Sequence, residues 1–103
     1  MNSVKIADLL ELENFRLRTP MYIGEKKISA LNSFIHGIYY AFETYNVDEA
    51  YILKGFDDWV ANYYKYSEST LGWKNMILEH FNYDEEKSLE EFFNLYDKFK
   101  KTL

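Results

Sequence analysis

The spacing of apolar residues constrains the fold of this chain more than any other feature, because they recur every three or four positions over long stretches. The clearest series is Ile28, Leu31, Phe34, Ile35, Ile38, Phe42 and Tyr45. This is the spacing of a helix that buries one face. There is a single proline, and no Asn-Gly or Asp-Gly pair marks a β-hairpin. The sequence therefore predicts an all-α domain.

The first half of the chain is predicted to hold two helices and one long irregular connection. The first helix runs from Val4 to about Asn14, with Ser3 as its cap. Residues 15–27 form the irregular connection, because Pro20 disfavours helical geometry at the residue before it. The second helix runs from Ile28 to about Tyr45, and we expect it to be the central member of the core.

The second half is predicted to hold two or three more helices. Asp48 ends a turn over residues 46–48 and caps a helix that Gly55 can kink or split. Ser69 or Thr70 caps the next helix. The apolar positions of these two helices are Ile52, Phe56, Trp59, Val60, Tyr63, Tyr64, Trp73, Met76, Ile77 and Phe81.

The last helix carries the strongest end signals. Asp84, Glu85 and Glu86 open it, and three lysines close it, which matches the helix dipole. Its expected buried stripe is Leu89, Phe92, Phe93, Tyr96, Phe99 and Leu103. The expected fold is an irregular bundle of four or five helices.

Composition predicts one soluble, cytoplasmic domain spanning residues 1–103. Apolar residues make up 48% of the 103 positions and aromatic residues 19%, enough for one core. The chain has no cysteine, which removes disulfides, thiolate zinc sites and cysteine nucleophiles. No apolar stretch approaches the roughly 20 residues needed to cross a bilayer, so we expect no membrane partner.

Charge and side-chain chemistry favour a protein partner. Twelve basic residues face seventeen acidic ones, a balance that repels nucleic acid and attracts a basic protein. His36 and His80 lie far apart in sequence and form no metal-ligand pair. The adjacent acidic residues of the Asp57–Asp58 pair diverge by about 100° on a helix, so they cannot work as a paired acid and base. We expect no enzyme activity, no metal and no cofactor.

Residues 18–24, Arg-Thr-Pro-Met-Tyr-Ile-Gly, resemble the Arg-Pro-Gly-Met-Tyr-Ile-Gly motif of the DNA gyrase B subunit ATPase domain. In that family a helix with a Glu-x-x-x-Asn pair follows. Here Glu43 and Asn46 are three positions apart, and that difference rotates one of them by about 100° around a helix. The adenine-binding motif and the Gly-rich lid are also absent from the sequence, so ATP hydrolysis is rejected.

A second resemblance covers nearly the whole chain. It joins the loop at residues 21–24, the apolar helix at 31–39, the segment from Phe56 to Val60, the Gly72–Trp73 pair and the acidic, aromatic helix at 84–100. This order resembles small bacterial proteins encoded beside polymorphic toxins, although Thr19-Pro20 replaces the usual Pro-Gly. The resemblance implies an immunity protein that binds and neutralises a cognate toxin.

We expect the toxin, a basic protein, to dock on exposed acidic and aromatic side chains. The helix with Trp59 and Val60 facing inward leaves its acidic residues outside. The candidate partner-binding residues are Tyr22, Asp57, Asp58, Asn62, Glu85 and Glu86. The same surface gives scope for a homodimer. The alternative function is a regulatory domain that binds a small molecule in a pocket near Tyr22, Trp59 and Trp73.

Overall fold

Helices provide the regular structure of the described chain, which comprises residues 6–45 and 53–103 of a computed structural model. Within these residues there are seven α-helices and no strand. They are α1 (Ile6–Glu11), α2 (Glu13–Leu17), α3 (Thr19–Ile23), α4 (Ile28–Thr44), α5 (Phe56–Tyr64), α6 (Trp73–His80) and α7 (Glu85–Lys100). The fold is all-α, as predicted, but the count of four or five helices was wrong.

The extra helices come from the segment that was predicted to be irregular. The first predicted helix is broken at Leu12, whose backbone is extended (φ −68°, ψ 127°). Pro20 lies in the first turn of α3, where a missing N–H costs nothing. The Thr19 hydroxyl donates to the Phe15 carbonyl oxygen at 2.9 Å and so ties α3 to α2. Proline therefore starts a helix here. The predicted cap Ser3 lies outside the described residues.

Helices α4 and α7 share the centre of the core. The predicted bounds of α4 are confirmed to within one residue at Tyr45. Helix α7 packs against α4, α5 and α6, and its buried residues are Ser88, Leu89, Phe92, Phe93, Leu95, Tyr96 and Phe99. Leu103, predicted to end this stripe, is exposed because α7 stops at Lys100.

Glycines, and not polar caps, precede α5 and α6. Gly55 has a positive φ of 85° and is the N-cap of α5, which begins at the next residue. Gly72 is the N-cap of α6, so Ser69 and Thr70 do not cap it. The predicted turn at residues 46–48, the cap Asp48 and the helical position Ile52 lie outside the described residues.

Aromatic rings fill the space between the helices. Phe92 of α7 meets Phe56 of α5 edge-on at 5.7 Å and Trp73 of α6 at 4.8 Å, measured between ring centroids. Phe93, the next residue of α7, meets Phe15 of α2 edge-on at 6.2 Å. Such pairs contribute roughly 0.5–1.5 kcal/mol each beyond the area they bury. Two adjacent residues of α7 thus contact different helices: Phe92 packs on α5 and α6, and Phe93 packs on α2.

Candidate functional site

Glu85, a predicted partner-binding residue, holds the start of another helix. The first residues of α4 have no side-chain cap of their own, because Lys27 occupies the N-cap position. Glu85 Oε1 accepts the backbone N–H of Ser29 at 2.9 Å, and Oε2 accepts the Ser29 hydroxyl at 2.8 Å. A carboxylate here satisfies a free N–H and complements the helix dipole. Glu85 is half-buried, so little of it is left for a partner.

Asp57 and Asp58 are exposed, as predicted, but both also make contacts within the fold. Asp57 Oδ1 accepts the backbone N–H of Trp73, the first residue of α6, at 2.8 Å. Asp58 accepts a hydrogen bond from the Ser69 hydroxyl in the connection before α6. The pair therefore fastens the start of α6 to α5. Ala61, on the same helix, is buried and faces the core.

The other predicted docking residues are more available to a partner. Asn62 lies exposed on α5. Glu86 shares Lys26 with Glu90, at 3.1 Å and 3.6 Å from the Lys26 ammonium nitrogen. Two carboxylates and one ammonium leave a net negative charge there. Tyr22 is 45% exposed, and its ring lies 5.1 Å from that of Phe15.

The segment of α2 and α3 exposes more apolar surface than the sequence predicted. Leu17 is 73% exposed and Met21 is 77% exposed. Together with Tyr22, they are three large apolar side chains within six residues, and we call them the apolar triplet. Two short helices cannot bury all of their sides, and here only Phe15 and Thr19 are buried. The exposed Leu17 gave no sequence signal, because its position fits the periodicity of neither neighbouring helix.

A groove of about 360 Å³ lies beside the apolar triplet, between α2–α3 and α7. Leu89 and Phe93 form its apolar floor, and Leu17 and Pro20 line one wall. Arg16 closes one end with two hydrogen bonds to the Asp97 carboxylate, both 2.8 Å long. These bonds lower the pKa of Asp97 and raise that of Arg16. The groove can accept an apolar side chain between charged rims.

Two tyrosines and one histidine lie together on α5, on α6 and on the connection between them: Tyr64, Tyr66 and His80. The His80 ring stacks on Tyr64 at 3.8 Å, a contact that makes this histidine structural. The Tyr66 hydroxyl donates to Glu79 Oε1 at 2.8 Å. Burial, followed by this hydrogen bond, raises the pKa of Tyr66 to about 12. Tyr66 is therefore a neutral hydrogen-bonding group at ordinary pH.

A second depression lies between α4, the start of α5 and the start of α6. Its larger part measures about 430 Å³ and is lined by Ile35, Leu53 and Trp73, among others. Of the three aromatic residues predicted to form a pocket, only Trp73 lines it. Tyr22 packs on Phe15, and Trp59 stacks between Phe56 and Tyr63.

The described residues contain neither a candidate metal site nor a helix that could span a membrane. No three His, Asp or Glu side chains in 6–45 and 53–103 gather closely enough to hold a metal ion. None of the helices in those ranges has the length and apolar character needed to span a bilayer. Comparison of the chain with protein-family models, with curated proteins and with solved structures finds no match.

Proposed function

We propose that this domain is an immunity protein, which neutralises a basic protein toxin by binding it through the apolar triplet and the adjoining groove. The observation that carries the proposal is the exposure of Leu17 and Met21 beside that groove. Neighbouring exposed side chains of this size are typical of protein-binding surfaces. The resemblance to immunity proteins rests partly on residues 21–24, so the exposed Met21 belongs to the segment that carries it.

The rim of the groove favours a basic partner. Glu86 and Glu90 both pair with the single ammonium group of Lys26, so these three side chains together carry one net negative charge. Asp97 is paired with Arg16 and adds no net charge. The whole chain also carries a formal charge of −5 at pH 7. A basic protein would be drawn towards this surface, and the apolar triplet would then be buried on contact.

The docking surface of this proposal differs from the one first expected. Glu86 and Tyr22 remain in it, since Glu86 is paired with Lys26, which lines the groove, and Tyr22 is exposed next to Met21. Asp57, Asp58 and Glu85 are assigned to holding helix ends, because their carboxylates accept hydrogen bonds from the fold. Asn62 lies on α5, outside the α2–α3 segment.

Rescue of growth tests this proposal in cells. Bacteria express the protein encoded by the reading frame adjacent to this one, with either the wild-type chain or the double variant Leu17→Ser, Met21→Ser. A matched control, Tyr40→Ser with Leu103→Ser, also removes two exposed apolar side chains but lies elsewhere. The wild type and the control should restore growth, and the triplet variant should not.

Two results would contradict the proposal. If the adjacent protein is not toxic, or if the wild-type chain fails to protect against it, the immunity function is wrong. If the triplet variant protects as well as the wild type at equal cellular levels, the immunity function stands but the binding surface is misplaced.

A further inference from the structure

The depression between α4, α5 and α6 consists of two adjacent hollows, which we together call the cleft. The larger measures about 430 Å³ and the smaller about 250 Å³. His36, Asp57 and Trp73 line both hollows, so the two share a wall. Pockets that bind small molecules measure about 300–1,000 Å³. The cleft therefore has the size of a small-ligand site.

The two hollows differ in polarity. The larger is mainly apolar, and Ile35, Leu53 and Trp73 form its floor. Gly55 lines this hollow and Gly72 lines the smaller one. Because its lining is mainly apolar, the larger hollow can take the apolar part of a ligand.

The smaller hollow is mainly polar, and Asn32, Lys74 and Asn75 line it together with His36. The Lys74 ammonium forms no ion pair with any residue in the described part of the chain. A second lysine, Lys54, lines the larger hollow. Asp57 is the one described carboxylate that lines the cleft, and it keeps its negative charge while it accepts the Trp73 N–H. Two lysines against one carboxylate leave the described lining with one net positive charge, which favours an anionic ligand.

We propose that this cleft binds a small aromatic carboxylate, with its ring in the larger hollow and its acid group beside Lys74 in the smaller one. Trp73 offers the ring an aromatic neighbour, and the Asn32 amide and His36 offer further hydrogen bonds to the acid. The site uses α4, α5 and α6, whereas the toxin-binding proposal uses α2, α3 and α7. The two proposals can therefore fail independently.

An NMR titration tests the site with two matched probes. The ¹⁵N-labelled protein is titrated with 2-naphthoate, and separately with 2-naphthamide, which has the same ring without the charge. The amides of Gly55 and Gly72 and the indole N–H of Trp73 should shift and saturate with 2-naphthoate. The neutral probe should bind roughly tenfold more weakly, since it lacks the attraction to a half-exposed cation.

Two lysine variants test whether the charge of Lys74 causes the preference for the carboxylate probe over the neutral probe. Lys74→Gln should reduce the preference for 2-naphthoate to less than about twofold, while Lys87→Gln, on exposed α7 surface, should keep it. No saturable shift at these three groups up to millimolar concentration would overturn the proposal. Equal affinity of the wild type for both probes would also overturn it, and this comparison stands even if Lys74→Gln fails to fold.

Discussion

The carboxylate of Glu85 accepts hydrogen bonds from both the backbone N–H and the hydroxyl of Ser29, at 2.9 Å and 2.8 Å. The acceptor lies at the start of α7 and the donors at the start of α4, 56 positions apart. This contact therefore fixes the two largest helices of the described chain against each other. It also supplies the cap that Lys27 cannot provide.

Replacing Glu85 should destabilise the fold more than replacing its neighbour. Glu85→Ala leaves the Ser29 N–H without its acceptor and should lower the free energy of unfolding by about 1–2 kcal/mol. Glu86→Ala removes only exposed ion pairs and should cost no more than about 0.5 kcal/mol. Urea denaturation of both variants measures the difference. Equal effects would show that the Glu85 contact does not cap α4.

Asp57 should behave as a structural residue in the same way. Asp57→Ala removes the acceptor of the Trp73 N–H and should cost about 1 kcal/mol. For a domain of this size that corresponds to a fall in Tm of roughly 4–8 °C. Asn62→Ala, on the same helix and exposed, should change Tm by less than about 2 °C. An unchanged Tm for Asp57→Ala would contradict this structural role, and Asp57 would again be a candidate residue for binding the partner.

The Arg16–Asp97 pair predicts a dependence of stability on acid pH. Hydrogen bonds from Arg16 lower the pKa of Asp97, so its contribution is present above about pH 3.9, the ordinary value. It is lost as pH falls through the lowered value. Asp97 is half exposed, which limits the contribution to about 1 kcal/mol.

Asp97→Asn measures this contribution directly. The variant should be less stable than the wild type at pH 7, and the difference should shrink as pH falls through the lowered pKa of Asp97, because both side chains are then neutral. Glu13→Gln, an exposed neutralisation on α2, serves as the control and should show no such convergence. A pH-independent difference for Asp97→Asn would mean that packing, and not charge, explains its effect.

Helix α7 shows what the sequence could predict about the fold and why. Its acidic start, basic end and apolar stripe agree with one another, and its start lies where predicted, although the buried stripe ends at Phe99 and not at Leu103. Residues 15–27 show the opposite case. Pro20 was interpreted as a helix breaker, whereas it lies in the first turn of α3, where proline is tolerated. The proline alone does not reveal whether a helix ends before it or begins at it.

Tyr96 predicts a dependence of stability on alkaline pH. Its hydroxyl is buried and has no hydrogen-bond partner among the described residues. Burial raises its pKa, so the contribution of the neutral phenol is fully present below about pH 10, the ordinary value, and is lost as pH rises above it.

Tyr96→Phe should separate this group from the other tyrosines. At pH 7 the variant should be as stable as the wild type or up to about 1 kcal/mol more stable, because an unpaired buried hydroxyl is removed. Its advantage should grow at pH 11, as measured by urea denaturation. Tyr83→Phe, an exposed control, should match the wild type at both pH values. A loss of more than about 1 kcal/mol for Tyr96→Phe at pH 7 would show that the hydroxyl has a partner.

The candidate site was less predictable than the fold for a physical reason. Acidic residues near helix starts, such as Asp57 and Glu85, look alike in sequence whether they meet a partner or cap a distant helix. The distinction depends on which helix ends lie nearby in three dimensions, as α6 and α4 do here. The exposure of Leu17 likewise depends on how α2 packs. Tyr22, by contrast, was proposed from the motif in which it lies, and it stays a prediction.

Affinity for the protein encoded by the adjacent reading frame tests the central claim most directly. The wild-type chain should bind this immobilised protein, and Leu17→Ser with Met21→Ser should weaken binding at least about 30-fold, since central apolar contacts contribute 2 kcal/mol or more. The Tm of that variant should fall by no more than about 4 °C. The matched control, Tyr40→Ser with Leu103→Ser, should bind like the wild type. Equal affinity of the triplet variant and the wild type, with both folded, would contradict the claim that α2 and α3 form the binding surface.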